Sequence, residues 1–301
     1  MTIITPALIV ALLTGYKAEY QRVFGETPTD WEKLATLMPS SSKGNTYGWL
    51  GQFPSLIEWV GSRTVKDMAA HGYSITNKKY ESTVGVPRTD IEDDNVGVYK
   101  PLFGEMGRAA KSHPDALVFE LLLAGLSTLC FDGQYFFDTD HPVYPNVDGT
   151  GVPTAVSNYQ AGALAPWCLL DCSRVLKPLI FQERTKPELT AMTDTKDESV
   201  FDTDTYRLGV RYRCNVGFGF WQLAYCSKAD LTPENFNAAY AAMCAFKADG
   251  GRPLGVKPTL LVCGPSLRTK ALEITKATRL ASGADNINQG VVDALVTPWL
   301  A

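Results

Sequence analysis

IEDDNVGVYKPLFGEMGRAAKSHPDALVFELLLAGLSTLCFDGQYFFDTDHP, residues Ile91–Pro142, decides the fold. It carries the longest helical pattern in the chain. Pro101 fits a first helical turn, where its missing N–H leaves no bond unmade. Leu102, Phe103, Met106, Ala109 and Ala110 recur at three-to-four-residue spacing and make one apolar face. Gly104 and Gly107 lie between them, which weakens the helix alone or lets another backbone come close. Ser112-His113-Pro114-Asp115 predicts a kink or restart, with Ser112 capping, Pro114 in a first turn and Asp115 at the positive end of the dipole. The run Ala116–Leu126 is apolar nearly all round, so it is covered on more than one side, and Gly125 is its stop. It is too short to span a bilayer, which takes about 20 apolar residues. A long helix serving as a spine between an arm and a globular part is a structural protein's layout.

Upstream of the spine, residues 5–24 read as an amphipathic helix with Thr5 as cap and Pro6 in the first turn. Its stripe is Leu8, Ile9, Leu12, Leu13, Tyr16, Tyr20, Val23 and Phe24. No basic residue precedes its apolar start, so a signal peptide is not expected. Residues 25–65 are punctuated by Gly, Pro and Ser, yet Trp31, Tyr47, Trp49, Phe53 and Trp59 are interleaved there. Aromatics this large need a covering surface, on their own chain or a neighbour's. Residues 63–91 alternate as β structure, with Tyr73 and Ile75, then Tyr80, Ser82, Val84 and Val86, on one side in each half. They are expected to form a two-stranded hairpin, which is marginal alone and so is either mobile or rests on a neighbouring subunit.

Downstream, residues 143–166 read as loop, and Cys172–Leu176 as helical before a strand at Leu179–Phe181. Thr185–Thr205 reads as a polar, acidic surface loop. Tyr206–Cys226 is strongly β, with Tyr206, Leu208, Val210, Tyr212 and Cys214 alternating with Arg207, Arg211 and Arg213. Thr232 and Pro233 open a helix to about Ala248; Thr259–Cys263 is a buried strand and Ser266–Lys276 a helix.

The 301 residues are 45% hydrophobic and 20% charged, which suits a globular protein rather than a fibrous or disordered one. With 28 basic against 32 acidic residues, the net charge of −4 argues against a dedicated nucleic-acid binder. Seven cysteines, an odd number without a zinc-ribbon pair, read as buried reduced thiols. The one tempting constellation is Asp132, Asp138, Asp140 and His141, where oxygen and imidazole ligands fall in one tight loop. A metal-dependent hydrolase using Asp138, Asp140 and His141 is the alternative it supports; the favoured reading is a hydrogen-bonded loop whose carboxylates accept backbone N–H bonds, because no second His or acidic cluster has matching spacing. No phosphate loop, dinucleotide fingerprint or nucleophile elbow is present. Neither catalytic, cofactor-binding nor metal residues are therefore assigned, no cofactor is expected, and the chain is not expected to be an enzyme.

Several short motifs occur in one order along nearly the whole chain. They are Tyr47-Gly48-Trp49-Leu50-Gly51, Glu58-Trp59-Val60-Gly61-Ser62-Arg63, Ile75-Thr76-Asn77-Lys78 and Ile91-Glu92-Asp93-Asp94, then Asp132-Gly133 with Phe136-Phe137-Asp138-Thr139-Asp140-His141-Pro142, Lys177-Pro178-Leu179-Ile180-Phe181-Gln182, and Pro253-Leu254-Gly255-Val256-Lys257-Pro258-Thr259-Leu260. On these the chain resembles the major head subunits of Mu-like bacteriophages and prophages, the T-protein family. The resemblance implies an α+β Hong Kong 97-type capsid fold with an N-terminal arm, an extended E-loop β-hairpin, a P-domain with a long spine helix, and an A-domain. It implies residues 1–62 as the arm, 63–92 as the E-loop, and 93–142 as the P-domain spine and following loop. Residues 143–205 would be the first part of the A-domain with surface loops, 206–230 the long P-domain strand, and 231–301 the rest of the A-domain.

The function so implied is a major capsid protein that self-assembles into the icosahedral shell enclosing phage DNA. A prophage-derived or cellular nanocompartment shell is the alternative on the same fold. Expected partners are the chain itself as pentamers and hexamers, a separate scaffolding protein, a maturation protease and a portal. DNA would be touched only non-specifically and membranes not at all. The place is the virion, after assembly in the bacterial host cytoplasm. Subunit-interface candidates are Trp31, Tyr47, Trp49, Phe53, Trp59, Tyr73, Ile75, Lys78, Lys79, Tyr80, Val84 and Val86.

Overall fold

The computed structural model describes residues 6–51, 72–93, 96–194, 197–280 and 283–301. Helix α1 (Pro6–Glu26) is followed by the short α2 (Trp31–Leu34) and strands β1 (Ala35–Pro39), β2 (Gly44–Thr46), β3 (Ser74–Thr76) and β4 (Lys78–Pro87). One turn of helix, α3 (Arg88–Glu92), leads to the spine α4 (Lys100–Ala124). Then come β5 (His141–Val143), β6 (Thr154–Val156), β7 (Tyr159–Gln160), β8 (Trp167–Leu170) and the long β9 (Leu179–Met192). Helix α5 (Glu198–Thr203) links β9 to β10 (Thr205–Phe218), and β11 (Ala224–Ser227), α6 (Pro233–Cys244), β12 (Leu260–Cys263), α7 (Arg268–Thr275) and β13 (Asp293–Val296) complete the chain.

Two sheets organise these elements. The first has the order β1-β9-β10-β4. On β10 the even-numbered residues Tyr206 to Cys214 are buried, while Arg207 and Arg211 are exposed, so period-two alternation sets which face meets the core. That inner face carries the spine helix, and α1 packs along the spine in turn. Ile9, Tyr16, Tyr20, Phe103, Met106, Val86, Leu208 and Val210 form the resulting core, with Tyr16 stacked on Phe103 at 4.5 Å between centroids. The second sheet has the order β13-β12-β8-β11-β7. Its central strand β8 reads Trp-Cys-Leu-Leu and is buried throughout, because both faces are covered. Helix α6 beside it starts as the sequence predicts, with the Thr232 hydroxyl accepting from the Asn235 N–H at 3.2 Å and Pro233 in the first turn.

Several expectations are corrected. The spine neither stops nor restarts at Ser112–Asp115: α4 is one helix with Pro114 inside it. Proline costs that helix one hydrogen bond, but Pro114 is buried, and Asp115 is used elsewhere. Its Oδ1 accepts the backbone N–H of Asp30 at 3.0 Å and of Trp31 at 2.7 Å, which holds the start of α2 against the spine. Strands β3 and β4 do not form a hairpin with one another. β3 pairs with β2, and β4 pairs with β10 over ten consecutive residues, Lys78 opposite Cys214 through Pro87 opposite Thr205. A partner so long outcompetes the local turn. Residues 52–71 of the expected E-loop lie outside the described residues. Thr185–Met192 is strand rather than loop, because β9 is laddered to β10 with register shifts on either side of Arg213. Cys172–Leu176 is not helical, and α6 ends at Cys244. All seven cysteines are free, and five are buried; Cys244 is exposed.

His113 lies on the spine facing β4 and β10, edge-on to Tyr80 at 4.2 Å and to Tyr212 at 6.0 Å. Burial holds its imidazole below the ordinary value of 6.5. The folded pKa is thus lower than the unfolded one, so this site's contribution is complete above 6.5 and is lost as pH falls toward the folded value. The thermal midpoint is expected to drop as the pH is lowered below that point, and His113→Phe to remove that part of the slope. Melting curves of both proteins between pH 5 and 8 check this; parallel curves would contradict it.

Candidate assembly surfaces and the Asp132–His141 centre

The aromatics of residues 31–51 find their covering surface within the chain. Trp31 packs on Phe181 at 4.6 Å, and the Tyr47 hydroxyl donates to Gln182 Oε1 at 2.7 Å. Gln182 is wholly buried on β9, and its Nε2 donates to Ile75 O at 3.0 Å and to Asn77 Oδ1 at 2.8 Å. One side chain therefore ties the region before and the region after residues 52–71 to the first sheet. Ile75 fills the space above Gly217, where an added Cβ would fall 2.2 Å from its Cδ1. Trp31, Tyr47, Ile75 and Val86 are all buried in this way. Trp49 is half-buried between Tyr47 and Phe220, and Tyr73 accepts the Phe218 N–H on its hydroxyl at 2.9 Å. Lys78 and Lys79 are exposed, and Tyr80 and Val84 are half-exposed along β4. Phe53 and Trp59 lie outside the described residues.

The loop from Phe131 to Pro142 is pinned by its aromatics. Phe136 is fully buried and stacks on Phe218 at 4.4 Å, with Phe137 edge-on beside it. Below them His141 is wholly buried and lies flat on Trp221, with centroids 4.0 Å apart and planes 10° apart. Its Nδ1 is 2.7 Å from Asp132 Oδ2, and its Nε2 is 3.2 Å from Asn158 Oδ1. Asn158 is oriented by donating to Phe136 O at 2.8 Å and accepting from the Asp138 N–H at 2.9 Å. Asp132 Oδ1 accepts from the Gln134 N–H at 3.1 Å and from the Cys130 thiol at 3.0 Å. Burial pushes the Asp132 carboxyl up, but the hydrogen bonds from His141 and Cys130 outweigh it and hold the group below the usual carboxylate range.

This centre differs from the constellation expected for a hydrolase. Asp138 spends its carboxylate on the N–H groups of Tyr135 and Thr139, at 3.1 and 2.7 Å. Asp140 is exposed and faces Asp138, whose hydrogen bond raises its pKa. Among the described residues, the set close enough to share an ion is Cys130, Asp132 and His141. Ligands around a tetrahedral zinc at about 2.0–2.3 Å stand about 3.3 Å or more from one another. The 2.7 and 3.0 Å separations here are those of direct hydrogen bonds. Burial and the neighbouring Asp132 charge also push the Cys130 thiol far up, and a protonated thiol is a poor ligand. Cys130 and Asn158, the partners that complete the centre, carry no signal of their own in the sequence; only a contact across the fold reveals them.

A long spine helix across a four-stranded sheet, joined to a second sheet with its own helices, is the Hong Kong 97-type α+β fold of phage shell subunits. In the procapsid of bacteriophage JBD30 the corresponding chain superimposes with a TM-score of 0.87 and 60% identity, over 98% of this chain and 100% of that one. The major capsid protein of Escherichia phage Mu is 46% identical over 304 residues, covering 99% of this chain and all of that protein. The Mu-like prophage FluMu major head subunit of Haemophilus influenzae is 48% identical over 279 residues, covering 91% and 90% respectively. Residues 9–300 match the family described as Mu-like prophage major head subunit gpT, and the chain belongs to that family. It is a major capsid structural protein of a Mu-like phage head, and its role is to form the shell.

Proposed function

We propose that this chain assembles as pentamers and hexamers into a closed icosahedral shell around phage DNA, within the cytoplasm of a bacterial host. A separate scaffolding protein, a maturation protease and a portal act with it, and DNA is contacted only non-specifically. The observation that carries this reading is the whole-length likeness to a procapsid subunit. The mildly acidic balance agrees with it, since a net charge of −4 does not favour holding packaged DNA tightly. Among the described residues no helix is long and apolar enough to cross a membrane. In this reading residues 1–62 serve as the arm and 63–92 as the E-loop. The spine (93–142) and the long strand (206–230) make the P-domain, and residues 143–205 and 231–301 the A-domain. The neighbour-facing residues are Trp49, Tyr73, Lys78, Lys79, Tyr80 and Val84, together with Phe53 and Trp59. Electron microscopy with sedimentation velocity, with and without co-expressed scaffold and protease, tests the reading. Shells, tubes or rings of five or six are expected. A monomer or dimer under every condition would overturn it.

A further inference from the structure

The spine does not close on the first sheet everywhere. Met106, Ala109, Ala110 and His113 stand at i, i+3, i+4 and i+7, on one face of α4. Facing them, β4 and β10 pair Tyr80 with Tyr212 and Ser82 with Val210. The small side chains of Ala109, Ala110 and Ser82 fall where a helix on a sheet needs bulk, and they leave a cavity of about 180 Å³. It lies at the boundary of two cores: Met106 and Val210 belong to one, Tyr212 to the other. Its wall holds one polar anomaly. The His113 imidazole is edge-on to Tyr80 at 4.2 Å, and its Nε2 is buried with no hydrogen-bond partner among the described residues. Buried polar atoms are normally paired, so this nitrogen is a hydrogen-bonding site that the chain itself leaves open.

An apolar cavity of about 150 Å³ takes up one benzene, so this one has room for a single ring with a small substituent. Its aromatic and aliphatic walls suit a flat apolar ring. The unpaired nitrogen suits a hydroxyl, which can donate to an imidazole nitrogen or accept from it. Glu81, Ser82 and Ala109 are exposed at the rim, so a ligand enters from solvent while helix and sheet stay intact. We propose that the cavity between the spine and the first sheet binds a small aromatic alcohol of phenol size, its ring against Met106 and Val210 and its hydroxyl on His113 Nε2. Such a ligand braces the spine against β4 and β10 in the folded subunit, whether or not that subunit stands in a shell.

Phenol and toluene, added to the full chain carrying methyl-labelled methionine, test the site by nuclear magnetic resonance. Phenol is expected to shift the Met106 methyl signal with a Kd of about 1 mM, a modest demand on so few non-hydrogen atoms, and to raise the thermal midpoint in step. Met106→Leu identifies that signal among the six methionines. His113→Phe keeps a ring on the wall and removes the nitrogen. It is expected to weaken phenol about fivefold or more, because a buried hydroxyl loses its partner, and to leave toluene within about twofold. Ala110→Leu fills the cavity and is expected to abolish the response to both. Circular dichroism and melting check that each variant folds. A Met106 signal unmoved by phenol well above that concentration would overturn the site. So would phenol and toluene changed alike by His113→Phe, or undiminished phenol binding by folded Ala110→Leu. Free subunits that bind phenol while assembled shells exclude it would hand the cavity to a side chain of a neighbouring copy, and overturn the assignment as well.

Discussion

His141→Ala is expected to destabilise the isolated subunit by about 2–5 kcal/mol, because a buried carboxylate loses a hydrogen-bond donor and the ring leaves a cavity. Asp132 is only 8% exposed and His141 not at all, so the variant leaves a carboxylate in the interior with its strongest donor gone. The flat contact with Trp221 is lost as well, and a hole opens against the Trp221 ring. Urea unfolding measures the change. The same geometry sets a pH effect. Asp132 titrates below the ordinary carboxylate range in the folded protein, so its contribution is complete above the unfolded value and is lost as pH falls through the folded one. With His141 gone, burial pushes the carboxyl upward against only the Cys130 and Gln134 donors, and acid unfolding of the variant should begin at a higher pH. A chelator should leave the midpoint of the wild-type protein unchanged. A drop in midpoint on chelation would point to a bound ion and against the hydrogen-bonded centre.

Gly107→Leu should release α1 from the spine. A Cβ at this position would fall 2.4 Å from the Tyr20 carbonyl oxygen and 3.2 Å from the Phe24 nitrogen. Both are backbone atoms of α1, so no rotamer change relieves the clash. Gly104 one turn earlier faces Val23 and Glu19 at 3.2 and 3.4 Å, which makes the pair a small-residue seat for the helix. The helices must separate or tilt, and Ile9, Tyr16 and Tyr20 lose their cover; each such side chain is worth about 1.5–3 kcal/mol when fully buried. Overpacking alone costs about 1–3 kcal/mol, and undocking adds to it. Limited trypsin digestion reports the outcome, because Lys17 and Arg22 lie on α1. Cleavage there should accelerate strongly in Gly107→Leu and less in Gly107→Ala. An unchanged digestion pattern would contradict the close approach.

The spine was legible because Phe103, Met106, Ala110, Val118 and Leu122 repeat at helical spacing and meet cores on both sides. Its false break at Ser112–Asp115 shows the limit of local rules. Those residues fit a helix start, but Asp115 serves the start of α2, about 85 residues upstream, and packing keeps Pro114 within the helix. The alternation on β10 was readable, whereas the outer half of β9 was not. Residues 183–192 include Pro187 and mostly polar side chains, and only the ladder with β10 makes them a strand. The arm's aromatics announced a need for cover without saying where it lay, since their partners Phe181, Gln182 and Phe220 come late in the chain. The loop centre was half visible: Asp132 and His141 stood out by residue type, but their pairing depends on Asn158 and Trp221, which no spacing connects to them.

The parallel pairing of β1 with β9 has a consequence for synthesis on the ribosome. Leu179 follows Ala35, its partner in the ladder, by 144 residues. At about 5–20 residues per second, translation takes about 7–30 s to cover that distance. For most of that interval Trp31 and Tyr47 exist while their β9 partners Phe181 and Gln182 have not yet been made. The nascent head subunit is therefore expected to be a client of ribosome-associated chaperones, and its yield to depend on them more than on the stability of the finished fold.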